Sequence, residues 1–209
     1  QPCKQRRDGY DWNGRHNAIL KMNQEKSPDI LMIGNSITHY WSGEPTASIV
    51  NGKEAWNNLF KGKNVRNLGF GWDRIENALW RIYHGELDGF AAKKIFLLLG
   101  TNNLDVNSDE EIIQGIQELV RAVRLRQPEA RIYVCGILPR AWKEERIIGI
   151  NQSLQMRLQP DEMTFVDMSA ALSNPDGSIV NSLFKDGVHP TAEGYQQMVE
   201  ILKQYVNEP

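Results

Sequence analysis

The segment Asp29–Trp41 reads DILMIGNSITHYW. An apolar run ends at Gly34, a small polar pair follows at Asn35-Ser36, and a histidine stands at position 39. Unbroken apolar character over a few residues suits a strand covered on both faces, as in a parallel sheet. Ser36 then stands at the carboxyl end of that strand. Taken alone, it reads either as the cap of a following helix or as a nucleophile.

Four more runs of this kind lie further along the chain: VRNLGF (Val65–Phe70), KIFLLLG (Lys94–Gly100), RIYVCGIL (Arg131–Leu138) and TFVDMS (Thr164–Ser169). Amphipathic stretches separate them. RIENALWRI puts Ile75, Leu79 and Ile82 on one face. SDEEIIQGIQELVRAV opens with a capping-box pattern, Ser108 to Glu111, and repeats apolar residues at helical spacing. EERIIGINQSLQMRL follows the fourth run. A last helix is expected to start near Pro190, a favourable first-turn residue, and to bury Tyr195, Met198, Val199, Leu202, Tyr205 and Val206. Strands alternating with helices predict a three-layer α/β/α domain with a doubly wound, mainly parallel, five-stranded sheet. Residues 29–209 form that single domain. Residues 1–28 are expected to pack on it, with Tyr10 and Trp12 as anchors, although they show no clear periodicity.

The 209 residues are 41% hydrophobic and 24% charged, with a formal net charge of −2. Charges of both signs are scattered, which argues against a nucleic-acid partner. No apolar run is long enough to span a bilayer. The four histidines and two cysteines show no metal-ligand spacing, so neither metal nor cofactor is expected. Cys135 reads as a buried small hydrophobe, and its pairing with Cys3 stays open. A chain starting at Gln1 suits removal of an export signal, so a periplasmic or extracellular location is the expectation, with a cytoplasmic one as the alternative. Oligomeric state is not readable.

In open α/β sheets, ligands bind beyond the carboxyl ends of the strands. Four polar motifs fall there. Ser36 follows the first strand, GFGWD (Gly69–Asp73) the second and GTNN (Gly100–Asn103) the third, while DGVHP (Asp186–Pro190) precedes the last helix. A serine hydroxyl needs a base, and His189 can serve. Asp186, on the same short loop, can hold the imidazole ring. Negative charge developing on a carbonyl oxygen needs fixed donors. Candidates are the backbone N–H of Ser36, a backbone N–H in the Gly71-Trp72 turn, and the Asn102 amide. Gly34 matches the nucleophile elbow of α/β-hydrolases, but Thr38 occupies its second glycine position, so that fold is not indicated.

The four blocks IGNSIT, NLGFGWD, GTNN and DGVHP, in this order, resemble those of the SGNH (GDSL-like) hydrolases. The resemblance runs from about Asp29 to the C-terminal helix. NLGFGWDRIENALWRI…GTNN is particularly similar to the small acylhydrolases that include the platelet-activating-factor acetylhydrolase catalytic subunits. The resemblance implies a serine esterase with Ser36 as nucleophile, Asn102 in the oxyanion hole, and Asp186 and His189 as acid and base. Asn35 stands where the family usually has aspartate. The family's oxyanion glycine aligns with Trp72, whose backbone N–H can still donate.

The expected substrate is a small-molecule or carbohydrate ester of a short acyl group such as acetyl. Asn35, Tyr40, Trp41 and Trp142 are the expected substrate-binding residues. The stretch from Thr38 to Asn64 is expected to be a long pocket-shaping excursion carrying Tyr40, Trp41 and Trp56. A non-catalytic ligand-binding protein with the same fold is the alternative, and a phosphoryl-ester hydrolase a more distant one. His39 is expected to be a pocket or surface residue, and His16 and His84 surface or packing residues.

Overall fold

A computed structural model describes residues 1–6, 9–158 and 163–209. Five parallel strands form one sheet in the order β2-β1-β3-β4-β5: β1 Ile30–Gly34, β2 Val65–Gly69, β3 Lys94–Leu98, β4 Arg131–Cys135 and β5 Thr164–Val166. The helices are α1 Trp12–Glu25, α2 Ser36–His39, α3 Lys53–Leu59, α4 Ile75–Arg81, α5 Asp109–Arg126, α6 Glu144–Arg157 and α7 Ala192–Asn207. The strand order reverses between β1 and β3. That is the switch point at which doubly wound sheets open a crevice.

Alternation along the strands separates two cores. Leu31, Ile33, Ile95, Leu97, Ile132 and Val134 face the layer of α1, α4, α5 and α6. Ile30, Met32, Phe96, Leu98, Tyr133 and Cys135 face α3 and α7. Both faces of β1 and β3 are buried throughout, which explains their unbroken apolar sequences. Helix α5 starts as its sequence dictates. The Ser108 hydroxyl accepts from Glu111 N–H, and the Glu111 carboxylate accepts from Ser108 N–H.

The structure corrects several boundaries. β4 and β5 stop at Cys135 and Val166, short of the runs that predicted them. Helix α7 is capped by Thr191, whose hydroxyl accepts from Gly194 N–H, so Pro190 lies before the helix and not in its first turn. Tyr205 is only partly buried, whereas the other five predicted α7 residues are buried. The Thr38–Asn64 excursion contains α3, and its Trp41 and Trp56 are core residues. Cys3 is exposed, Cys135 is buried, and both are free thiols. Burial pushes the Cys135 thiol up to about 12.

The least anticipated element is α1. It buries Trp12, Arg15, His16, Ile19 and Asn23. That spacing is helical, but three of the five side chains are polar, so no apolar stripe marks it. Arg15 donates to Gly69 O (2.8 Å), Pro45 O (2.6 Å) and Asn67 O (3.1 Å), fastening the carboxyl end of β2.

Candidate active site

Gly34 and Gly69 are register partners at the carboxyl ends of β1 and β2. A Cβ on Gly34 would lie 2.0 Å from Thr38 Oγ1, and one on Gly69 would lie 2.2 Å from the His39 nitrogen. Only glycine lets α2 sit this close to the sheet edge. Asn35 caps α2 by accepting from Ile37 N–H at 2.9 Å. Ser36 is therefore delivered at the first helical position, directly off the strand.

The loop before α7 meets it. His189 Nε2 lies 2.8 Å from Ser36 Oγ, and His189 Nδ1 lies 2.7 Å from Asp186 Oδ2. Asp186 Oδ1 also accepts from the backbone N–H groups of Val188 (3.0 Å) and His189 (2.8 Å), so the loop folds around its own carboxylate. Partial burial opposes ionisation of Asp186. The backbone N–H bonds and the His189 ring outweigh it and hold the carboxyl below its usual range. An ionised Asp186 accepts from Nδ1–H, which leaves Nε2 with a lone pair aimed at the Ser36 hydroxyl.

The GFGWD segment forms a tight turn opposite. Asp73 N–H donates to Phe70 O at 3.1 Å, and Trp72 has φ 65°. Positive φ at the third turn position is that of a type II turn, which normally calls for glycine. Trp72 instead takes the left-handed backbone, at a cost of roughly 1–2 kcal/mol. Gly71 N–H donates to His39 Nδ1 at 3.0 Å. His39 must be unprotonated at Nδ1 to accept. Burial, with Arg15 and Arg81 nearby, holds its pKa down to about 3. Asn102 Nδ2 donates to Asp73 O at 2.8 Å, bringing the GTNN block against the same turn. Its neighbour Asn103 has a different job, accepting from Ile75 N–H at 3.0 Å to start α4.

A model of the GDSL-like lipase/acylhydrolase family matches residues 32–197, which hold all four motif blocks. The chain belongs to this family. It is an esterase. It is 30% identical over 200 residues to the human platelet-activating factor acetylhydrolase IB subunit alpha2, covering 93% of this chain and 83% of that one. Among solved structures it is similar to a Streptococcus pneumoniae protein provisionally named for platelet activating factor, with TM-score 0.77, 26% identity and coverage of 93% and 92%. It also shares its fold with a GDSL-like lipase from Bacteroides thetaiotaomicron, with TM-score 0.71, 18% identity and coverage of 91% and 96%.

Within this GDSL-like frame, Ser36, His189 and Asp186 come together as one hydrogen-bonded chain. Trp72 and Asn102 line a cleft of about 440 Å3 together with Lys4, Gln5, Arg6 and Asp105. Tyr40 lies beside the site, its ring 5.7 Å from that of His189. Three expectations fail on geometry. Trp41 is fully buried, stacked on Tyr195 at 5.0 Å, and cannot reach a substrate. Asn35 is 1% exposed and uses its side-chain oxygen as a cap. Gly71 directs its N–H at His39 and does not present it to a substrate oxygen.

Trp142, 90% exposed with φ 63°, stands beside the Asp186 loop, tied to it by Ala141 N–H donating to Gly187 O at 2.9 Å. The role of His39 as an acceptor at the turn is not legible in the sequence pattern. Its place three positions after Ser36, one helical turn on, was the available signal.

Proposed function

We propose that this esterase hydrolyses short acyl esters, acetyl foremost, through an acyl-enzyme on Ser36. The observation that carries the reading is the continuous chain from Ser36 Oγ through His189 to Asp186, at 2.8 and 2.7 Å. Ser36 Oγ attacks the ester carbonyl carbon while His189 Nε2 takes its proton, and Asp186 stabilises the imidazolium. The tetrahedral intermediate collapses, the C–O bond to the alcohol breaks, and His189 returns the proton to the leaving oxygen. Water then repeats the sequence on the acyl-enzyme, releasing the acid and restoring the Ser36 hydroxyl.

The oxyanion donors in this reading are the backbone N–H groups of Ser36 and Trp72 and the Asn102 amide. Asn102 Nδ2 carries two protons, and the bond to Asp73 O uses one of them. Asn102→Ala is therefore expected to lower kcat by roughly 10²–10³-fold with little change in KM. Steady-state kinetics on an acetyl ester checks this; an unchanged kcat removes Asn102 from the oxyanion hole.

Acetyl preference is supported by the similarity to the human relative, an acetylhydrolase subunit at 30% identity. For the alcohol portion, the reading favours a carbohydrate. Trp72 is 50% exposed and Trp142 90% exposed, and flat aromatic faces suit the apolar faces of sugar rings. Two assays test the reading. A chromogenic ester series from acetyl to octanoyl should show kcat/KM falling with chain length, and a rise would overturn the short-acyl assignment. A panel of acetylated sugars against acetylated lipid-like alcohols should favour the sugars.

A further inference from the structure

The peptide joining Gly71 to Trp72 is gripped from the side of its carbonyl. Gln5 Nε2 donates to Gly71 O at 2.7 Å and to Asp73 Oδ1 at 2.8 Å, and Tyr10 Oη donates to Gly71 O at 3.3 Å. Both partners of the Gln5 nitrogen are pure acceptors, so the amide orientation is dictated by its surroundings. Burial and the Asp73 carboxylate push the Tyr10 phenol up, which keeps it a donor. A trans peptide is planar, with C=O and N–H pointing in opposite directions. Whatever fixes the Gly71 carbonyl therefore also aims the Trp72 N–H, and donors on the carbonyl polarise that N–H toward stronger donation.

This peptide has two orientations available. Types I and II turns differ by a flip of their central peptide, here the Gly71-Trp72 unit. The flip would turn the Trp72 N–H around. It would also relieve the positive φ of a bulky residue, so the local backbone favours it. We propose that Gln5 and Tyr10, from the N-terminal segment, are positioning residues that hold the Gly71-Trp72 peptide in its type II orientation and so keep the Trp72 N–H directed at the oxyanion. The inference rests on the assignment of Trp72 N–H as an oxyanion donor. The N-terminal segment is thereby part of the catalytic machinery, although it precedes the residues matched by the family model, 32–197.

The test uses Gln5→Met, which keeps length and loses the donor, Tyr10→Phe, and the two combined. Each is measured for kcat, KM, melting temperature and inhibition by a trifluoromethyl ketone, whose serine adduct carries the tetrahedral oxyanion. Ser36→Ala is run alongside. The combined variant is expected to lose about 10–100-fold in kcat, less than loss of a donor outright. KM should stay within about twofold, and the inhibition constant should rise by the same factor as kcat falls.

The decisive arm adds Trp72→Gly. Glycine accepts positive φ without strain, so the loss caused by the Gln5 and Tyr10 substitutions should be several-fold smaller in that background. A structural role for the segment would lower the melting temperature without this rescue, and that result overturns the proposal. So does parental kcat in the combined variant while Ser36→Ala is inactive. An active Ser36→Ala would instead overturn the underlying nucleophile assignment. Tyr10→Phe alone, a one-atom change, covers the case in which Gln5→Met fails to fold.

Discussion

Ser36→Ala is expected to lower kcat on an acetyl ester by about 10⁴-fold or more, with the protein still folded. Removing a member of a serine triad leaves only binding and oxyanion stabilisation, and losses of this size or larger follow. The substitution deletes one hydroxyl whose partner is His189, at 2.8 Å, in a half-open site. No buried charge is uncovered, so the melting temperature should move little. His189→Ala should give a loss of similar size, and the double variant should be scarcely worse than either single one, since the two residues act as a unit. A fluorophosphonate should label the parent stoichiometrically at Ser36 and fail to label Ser36→Ala. Labelling elsewhere, or parental rates in either variant, would sink the nucleophile assignment.

Arg81→Met is expected to have the largest effect on stability. Arg81 is fully buried and its guanidinium donates to Asp73 Oδ2 at 2.8 Å and to Glu86. Asp73 and Glu86 are likewise buried, and His16 Nδ1 meets Glu86 at 2.7 Å. Breaking a buried ion pair from one side leaves an uncompensated charge and typically costs about 3–5 kcal/mol. In a domain of this size that corresponds to a fall in Tm of roughly 10 °C or more.

The pH dependence gives the assignment a second edge. Burial raises the Asp73 carboxyl to about 6, although Arg81, Trp12 and the hydrogen bonds from them pull it down. A carboxyl raised on folding contributes stability that is present below its unfolded value and lost as pH rises through the folded one. Without Arg81 the folded value rises further, so the deficit of Arg81→Met should grow as pH rises above about 6, where the parent carboxyl ionises and the variant's does not. A deficit that is flat across that window, or a change below about 1 kcal/mol, would mean that the network does not carry the energy its burial implies. Since Asp73 also anchors the turn through Trp12 Nε1 and Gln5 Nε2, both at 2.8 Å, the variant should lose activity even below its melting temperature.

Much of the fold is written locally. KIFLLLG reads as a strand buried on both faces, and Lys94–Leu98 is one; the Ser108–Glu111 box starts its helix as isolated chemistry would. The four motif blocks, with their order at strand ends, bring Ser36, Asn102, Asp186 and His189 into consideration without coordinates. What stayed hidden was hidden for physical reasons. The buried face of α1 is held by hydrogen bonds from Arg15, His16 and Asn23, so hydrophobic periodicity passes over it. Trp41 and Trp142 are the same residue type in comparable polar surroundings, yet one is fully buried and the other 90% exposed.

The layer order, the alternation of strands with helices and the placing of polar motifs at strand ends are legible along the chain. These depend on period, capping and spacing along a few neighbouring residues. What folding alone settles is that the Gly71 N–H is engaged by His39 and the Gly71 carbonyl by Gln5 and Tyr10. These partners reach Gly71 from 32, 66 and 61 residues away and hold it on both sides, through the peptide before it and the peptide after it. Hydrogen-bond direction at such a turn is set by groups that only folding brings together, and no local pattern encodes it.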